Sequence, residues 1–195
     1  MSEAIRSFVA VSISEGARRQ IADLLGKLGR ESGGGVRWVK PELMHLTLAF
    51  LGEVSQDFLE SAKPRFVEVA QQHKAFTMQL KGLGAFPSPA RARVVWVGME
   101  QGRVEACALQ ADVVKALRSV GYQPERRPFS PHLTIGRLRD PGDVGRSLAT
   151  GFESESFTVG RVVLFRSVLQ PAGPVYSVLA EFPLSFQPGQ PGQPA

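Results

Sequence analysis

The apolar positions along this chain recur in two rhythms, and the alternation between them sets out the elements. Residues 6–13 (RSFVAVSI) are dense in β-branched and aromatic side chains and read as a strand. After Ser14-Glu15-Gly16, Ile21, Leu24, Leu25 and Leu28 return at a 3.6-residue spacing, which predicts an amphipathic helix over 17–28. A glycine-rich loop (31–35) and a short extended piece (36–39) lead to a strand over 44–51, MHLTLAFL, closed by Gly52. Ser55 caps a second helix whose apolar face carries Phe58, Leu59, Ala62, Phe66, Val69 and Ala70, with Pro64 marking a kink or a late start.

The second half repeats the vocabulary. Strands are expected over 76–83 and 93–99, separated by a Pro-rich loop, then a helix over 104–120 and a strand within 129–138. A short helix over 144–148 and a hairpin of 157–169 with 175–182 complete the set, and QPGQPGQPA (187–195) reads as a flexible tail. Strands come in pairs without a helix after each one, whereas parallel winding demands regular alternation. The expectation is an α+β fold with mainly antiparallel sheets, a single domain over 1–186.

Composition trims the functional classes. The chain has 195 residues, 43% of them hydrophobic and 21% charged, which is ordinary globular material. One cysteine, Cys107, excludes a disulfide framework, a cysteine zinc site and a CxxC redox motif, and it is expected to be buried and inert. No apolar run is long enough to span a bilayer and the N-terminus has no secretory pattern, so a cytoplasmic protein is expected. The net charge is +5, with 17 arginines against 6 lysines, and ten basic against four acidic residues between Lys81 and Arg139. Arg126, Arg127, Arg137 and Arg139 stand together without an acid. Guanidinium forks suit phosphate oxygens, so an anionic partner fits, although a solvated face would look the same.

The most specific feature is a repeated word. Of three histidines, two open the same phrase, His45-Leu46-Thr47-Leu48 and His132-Leu133-Thr134-Ile135, 87 residues apart. The chain therefore looks like two related halves. On a strand, i and i+2 share a face, so each histidine stands beside its threonine. Leu46, Leu48 and Phe50 are expected to point into the core, as are Leu133 and Ile135. Ala49 and Gly136 would form a small floor that lets a ligand approach. Two such strands brought together hold two imidazoles and two hydroxyls, a set that suits a tetrahedral anion. One imidazole, neutral, can take a proton from a nucleophile while the other, charged, gives one to a leaving oxygen. The hydroxyls can orient the phosphate oxygens. Histidine with threonine is a poor first shell for a divalent ion, so neither metal nor cofactor is expected. His73, alone in QQHKAF, reads as a surface or helix-capping residue.

In these words the sequence resembles the two-histidine phosphoesterases, and within them the RNA 2′,3′-cyclic phosphodiesterases, also called 2′-5′ RNA ligase-like proteins. The matching stretches are WVKPELMHLTLAFLGEV (38–54), FPSPARARVVWVG (86–98), RPFSPHLTIGR (127–137) and LQPAGPVYSVLAEFPL (169–184). The resemblance implies two pseudo-symmetric lobes, each a small antiparallel sheet with outer helices, around a central cleft lined by the HxTx strands. It implies hydrolysis of an RNA 2′,3′-cyclic phosphate to a 2′-phosphate, with a weak reverse joining of ends through a 2′-5′ linkage. By the same resemblance His45 protonates the 3′ oxygen, His132 activates water, and Thr47 and Thr134 hold the phosphate. Gly136 stands where such proteins often carry alanine, a change expected to be harmless.

Lesser candidates surround this quartet. Arg137 could contact the nucleoside, but strict alternation turns it away from His132, so a bulge or twist is required. Phe129 could stack on a base, with core packing the stronger reading. Arg91 and Arg93 could track an RNA backbone. Trp38, Trp96 and Tyr176 are expected in the core or the cleft wall. The partner expected is RNA with cyclic phosphate ends, acted on by a monomer without metal or membrane. Two alternatives remain: the same chemistry on a small nucleotide or ADP-ribose cyclic phosphate, and an RNA-end binding module with little turnover.

Overall fold

The computed structural model of the chain describes residues 4–31, 35–123 and 128–186. Among these residues nine strands and four α-helices follow in the order β1 (Ile5–Ser12), α1 (Glu15–Glu31), β2 (Arg37–Trp38), β3 (His45–Val54), α2 (Gln56–Gln72), β4 (Phe76–Phe86), β5 (Ala92–Gln101), α3 (Arg103–Ser119), β6 (Leu133–Gly142), α4 (Gly145–Leu148), β7 (Phe157–Val159), β8 (Arg161–Gln170) and β9 (Gly173–Pro183). They form two sheets, ordered β3-β1-β8-β9 and β2-β6-β5-β4-β7, and the strands pair antiparallel throughout both. The fold is α+β, as the paired strands imply. Each half contains the same unit, a strand, a helix and a strand that returns antiparallel to the first: β1-α1-β3 and β5-α3-β6.

The helices form where the sequence sets their caps and faces. Ser14 Oγ accepts from Ala17 N at the start of α1, and Ala17, Ile21, Leu24 and Leu28 are buried along it. Ser55 accepts from Phe58 N in the same way, and Leu59, Ala62, Phe66, Val69 and Ala70 line the inner face of α2. Pro64 is held within this helix on its exposed side. Helices α2 and α3 cover the first sheet, α2 against β8 and β9 and α3 against β3. A Cβ on Gly29 of α1 would stand 3.8 Å from the Trp38 indole nitrogen on the second sheet. None of these helices is long and apolar enough to cross a membrane.

Several boundaries differ from the sequence reading. The strand expected over 157–169 is two strands: β7 pairs with β4 in the second sheet, and after Gly160 the chain crosses to the first sheet as β8. Strand β3 does not close at Gly52, which adopts φ +67 and carries the strand on to Val54. His73 caps the C-terminus of α2, and its Nε2 lies 2.9 Å from Asp112 of α3, tying the two helices together. Cys107 is half-buried. The Pro/Gly/Gln tail of 187–195 and Arg126 and Arg127 lie outside the described residues.

Candidate active site

Both histidines are held by the same device. His45 Nδ1 lies 2.8 Å from the carbonyl of Leu43, and His132 Nδ1 lies 2.7 Å from the carbonyl of Ser130. A carbonyl only accepts, so each Nδ1 carries its proton and donates. In the neutral ring Nε2 is then the unprotonated nitrogen, free for proton transfer. Both locks reach back two residues, so the turn before each strand fixes the ring as the strand begins.

The surroundings of the two rings differ. His45 is stacked on Phe8 with centroids 4.5 Å apart and meets the edge of Tyr176 at 5.4 Å. Burial pushes its pKa from 6.5 down to about 4, against the pull of the Leu43 carbonyl and with a further push from the Arg137 guanidinium. His132 meets Phe86 edge-on at 5.1 Å and lies 6.3 Å from Trp96. Arg137 and His45 belong to different sheets, so the charge felt by His45 crosses between them. Strands β3 and β6 themselves approach within 8 Å at Cα.

A bulge in each strand decides which side chains join the histidines. On β3, Thr47 pairs with Ala10, Ala49 with Val9 and Phe50 with Phe8, so Leu48 is an extra residue. On β6, Thr134 pairs with Trp96, Gly136 with Val95 and Arg137 with Val94, so Ile135 is the extra residue. Ala10 and Phe8 share a face of β1, as Trp96 and Val94 share a face of β5. Thr47 and Phe50 therefore face one way together, and so do Thr134 and Arg137. This is the bulge that Arg137 requires in order to join His132.

The same bulges overturn two expectations. Leu46, Leu48, Leu133 and Ile135 are buried as anticipated, but Phe50 is 51% exposed and lies with its ring 6.0 Å from Phe8, not in the core. Its backbone is anchored by the Tyr122 hydroxyl, which donates to the Phe50 carbonyl. Gly136 is no ligand floor. A Cβ there would come 2.7 Å from Val36 Cγ1 and 2.9 Å from Trp38 Cε3, so its smallness makes room for Trp38. It would not accept alanine without movement.

The remaining candidates are dispersed. Thr47 and Thr134 are half-buried, and among the described residues neither hydroxyl makes a hydrogen bond. Phe129 is half-buried and packs on the core. Arg91 lies in an exposed turn before β5. Arg93 alternates away from the Val94–Trp96 face and donates to the Arg139 carbonyl at 3.3 Å. Tyr176, Trp96 and Trp38 are half-buried, Tyr176 against His45. Among the described residues no three His, Cys, Asp or Glu side chains gather as a metal-ligand group. Sequence reasoning missed Phe50, although it shares with Arg137 the offset of five from its histidine, which is the signal that could have found it.

The family and the fold are shared with known proteins. The LigT like phosphoesterase family model matches the chain twice, over residues 11–96 and again over 97–176, one copy for each half. An RNA 2′,3′-cyclic phosphodiesterase of Archaeoglobus fulgidus is 37% identical over 182 residues, covering 91% of this chain and 99% of the relative. One from Methanothermobacter thermautotrophicus is 32% identical, covering 92% and 99%. Among solved structures, a Thermus thermophilus protein superposes with a TM-score of 0.79 at 28% identity, covering 92% of this chain and 98% of its own. E. coli LigT, solved in apo form and in complex with 3′-AMP, gives a TM-score of 0.78 at 28% identity in both, covering 94% and 99%.

Proposed function

The chain belongs to the LigT-like phosphoesterase family, and on that premise we propose that it is an RNA 2′,3′-cyclic phosphodiesterase whose chemistry is carried by His45 and His132. The single observation that carries the residue assignment is the duplicated lock. Two rings, one from each half, are locked through Nδ1 at the starts of strands that approach each other, which leaves Nε2 as the unprotonated nitrogen of each neutral ring.

The reaction is an in-line displacement at phosphorus. His132 Nε2 accepts a proton from water as its oxygen bonds to phosphorus, and the P–O3′ bond breaks. His45 Nε2 delivers a proton to the departing 3′ oxygen, leaving the monoester on the 2′ oxygen. Each transfer contributes typically about 10²–10⁴ in rate. Without an anion beside it His45 is neutral at pH 7, because burial and Arg137 hold its pKa near 4. An anionic cyclic phosphate placed between them offsets the Arg137 charge and draws a proton onto His45, so the acid is armed by its own substrate.

Thr47 and Thr134 supply hydroxyl donors to the non-bridging oxygens, and Arg137 adds a charged fork where negative charge grows. Phe50 presents an exposed ring as a platform for the terminal base, which any base can use because every base has a π face. One lobe thus offers aromatic surface and the other cationic charge, matching a base on one side of the ribose and a phosphate on the other.

Product analysis tests the reading. An oligonucleotide ended by a 2′,3′-cyclic phosphate should yield only the 2′-phosphomonoester, and the yield should survive excess EDTA. A 3′-phosphomonoester, or loss of activity in EDTA restored by a divalent ion, would refute it.

A further inference from the structure

We propose that Arg37 holds the internucleotide phosphate next to the reacting one, so that the cleft favours an RNA chain over a mononucleotide; this rests on the activity proposed above. Strand β2 is only two residues long, and its register sets Arg37 directly opposite Arg137. Cross-strand partners stand about 5 Å apart at Cα and project their side chains to the same face. Arg37 is therefore the immediate neighbour of the guanidinium that faces the reacting phosphate.

The reach of Arg37 adds a second observation. Its Nη2 lies 3.7 Å from the point where a Cβ would stand on Gly173, at the turn between β8 and β9. Arg37 belongs to the second sheet and Gly173 to the first, so the side chain spans the space between the sheets. The hairpin tip it meets, Gln170-Pro171-Ala172-Gly173-Pro174, carries no charge. Among the described residues neither Arg37 nor Arg137 has a carboxylate within ion-pairing distance.

Two like charges placed side by side repel and are destabilising unless an anion joins them. One phosphate satisfies one fork, and two adjacent phosphates on one strand satisfy both. Tyr176, three residues after Gly173 on β9, touches His45, so an anion held by Arg37 lies beside the reacting centre. A mononucleoside cyclic phosphate has a single phosphate and leaves Arg37 without a partner. An oligonucleotide supplies the second.

The test compares a nucleoside 2′,3′-cyclic phosphate with a tetranucleotide of the same terminal base ended in a cyclic phosphate, for wild type, Arg37→Gln and Arg37→Lys. The expected result is a fall of about tenfold in the tetranucleotide-to-mononucleoside ratio of kcat/KM for R37Q, a smaller fall for R37K, and a log–log salt slope shallower by about 0.7 for the tetranucleotide. A second arm measures binding of a 2′-phosphate-ended tetranucleotide against a nucleoside 2′-phosphate, and it reads Arg37 whether or not the protein turns over. The same change of ratio is expected there. An unchanged ratio in both arms overturns the proposal, and so does an equal loss on both ligands, which would make Arg37 a latch for the hairpin. Absence of turnover in wild type with the binding ratio intact would count against the proposed activity and leave the Arg37 subsite standing.

Discussion

Phe50 and Arg137 occupy the same position in the two halves of the molecule, each five residues after a histidine and each turned onto the face of its threonine by a one-residue bulge. The two halves thus share a backbone arrangement and differ in the side chain it presents, an aromatic ring in one and a guanidinium in the other. Their removal should have different consequences. If Arg137 serves the phosphate as proposed, Arg137→Ala should lower kcat by about 10²-fold or more. If Phe50 stacks on the terminal base as proposed, Phe50→Ala should lower kcat/KM by roughly tenfold, mainly through KM. Steady-state kinetics on a cyclic-phosphate-ended RNA checks both, and equal effects on kcat would argue against the division of labour.

Gly136 is constrained by packing, with Val36 and Trp38 closed over the position where a side chain would begin. Gly136→Ala should destabilise the protein by about 1–3 kcal/mol through overpacking, measured by urea unfolding. Trp38→Leu in the same background should recover part of that loss by making room. A neutral Gly136→Ala would show that the Trp38 contact gives way freely.

The half-buried imidazole of His45 makes stability depend on pH. In the unfolded chain it binds a proton near pH 6.5, and in the folded protein only near pH 4. Between those values unfolding takes up a proton, so its contribution is full above about pH 6.5 and is lost as pH falls toward 4, by at most about 3 kcal/mol. Wild type should therefore lose more stability than His45→Asn between pH 7.5 and 4.5. NMR titration should show the His45 ring neutral down to about pH 4 in the free protein and titrating higher with a nucleoside 2′-phosphate bound.

The sequence made the helix starts and the site's nucleus legible because both are local. Ser55 announces α2 by its own hydroxyl, and His45 with Thr47 share a face by simple alternation. What escaped is relational. A bulge at Leu48 or Ile135 arises between two strands and leaves no mark in a single apolar run, so Phe50 looked like a core residue continuing Leu46 and Leu48. The passage from one sheet to another at Gly160 interrupts no hydrophobic pattern. Arg37 sits in a strand of two residues, too short for any periodicity, and only its partner on β6 gives it meaning.

The most direct measurement is the turnover of a cyclic-phosphate-ended RNA by His45→Ala, His132→Ala and the double variant, with circular dichroism confirming the fold of each. If the two imidazoles serve one phosphorus, each single change should cost 10³-fold or more, and the double should cost little beyond the worse single, because groups that act as a unit are not additive. A single variant that keeps turnover within threefold of wild type, or a double variant whose loss is the product of the singles, would contradict a shared centre.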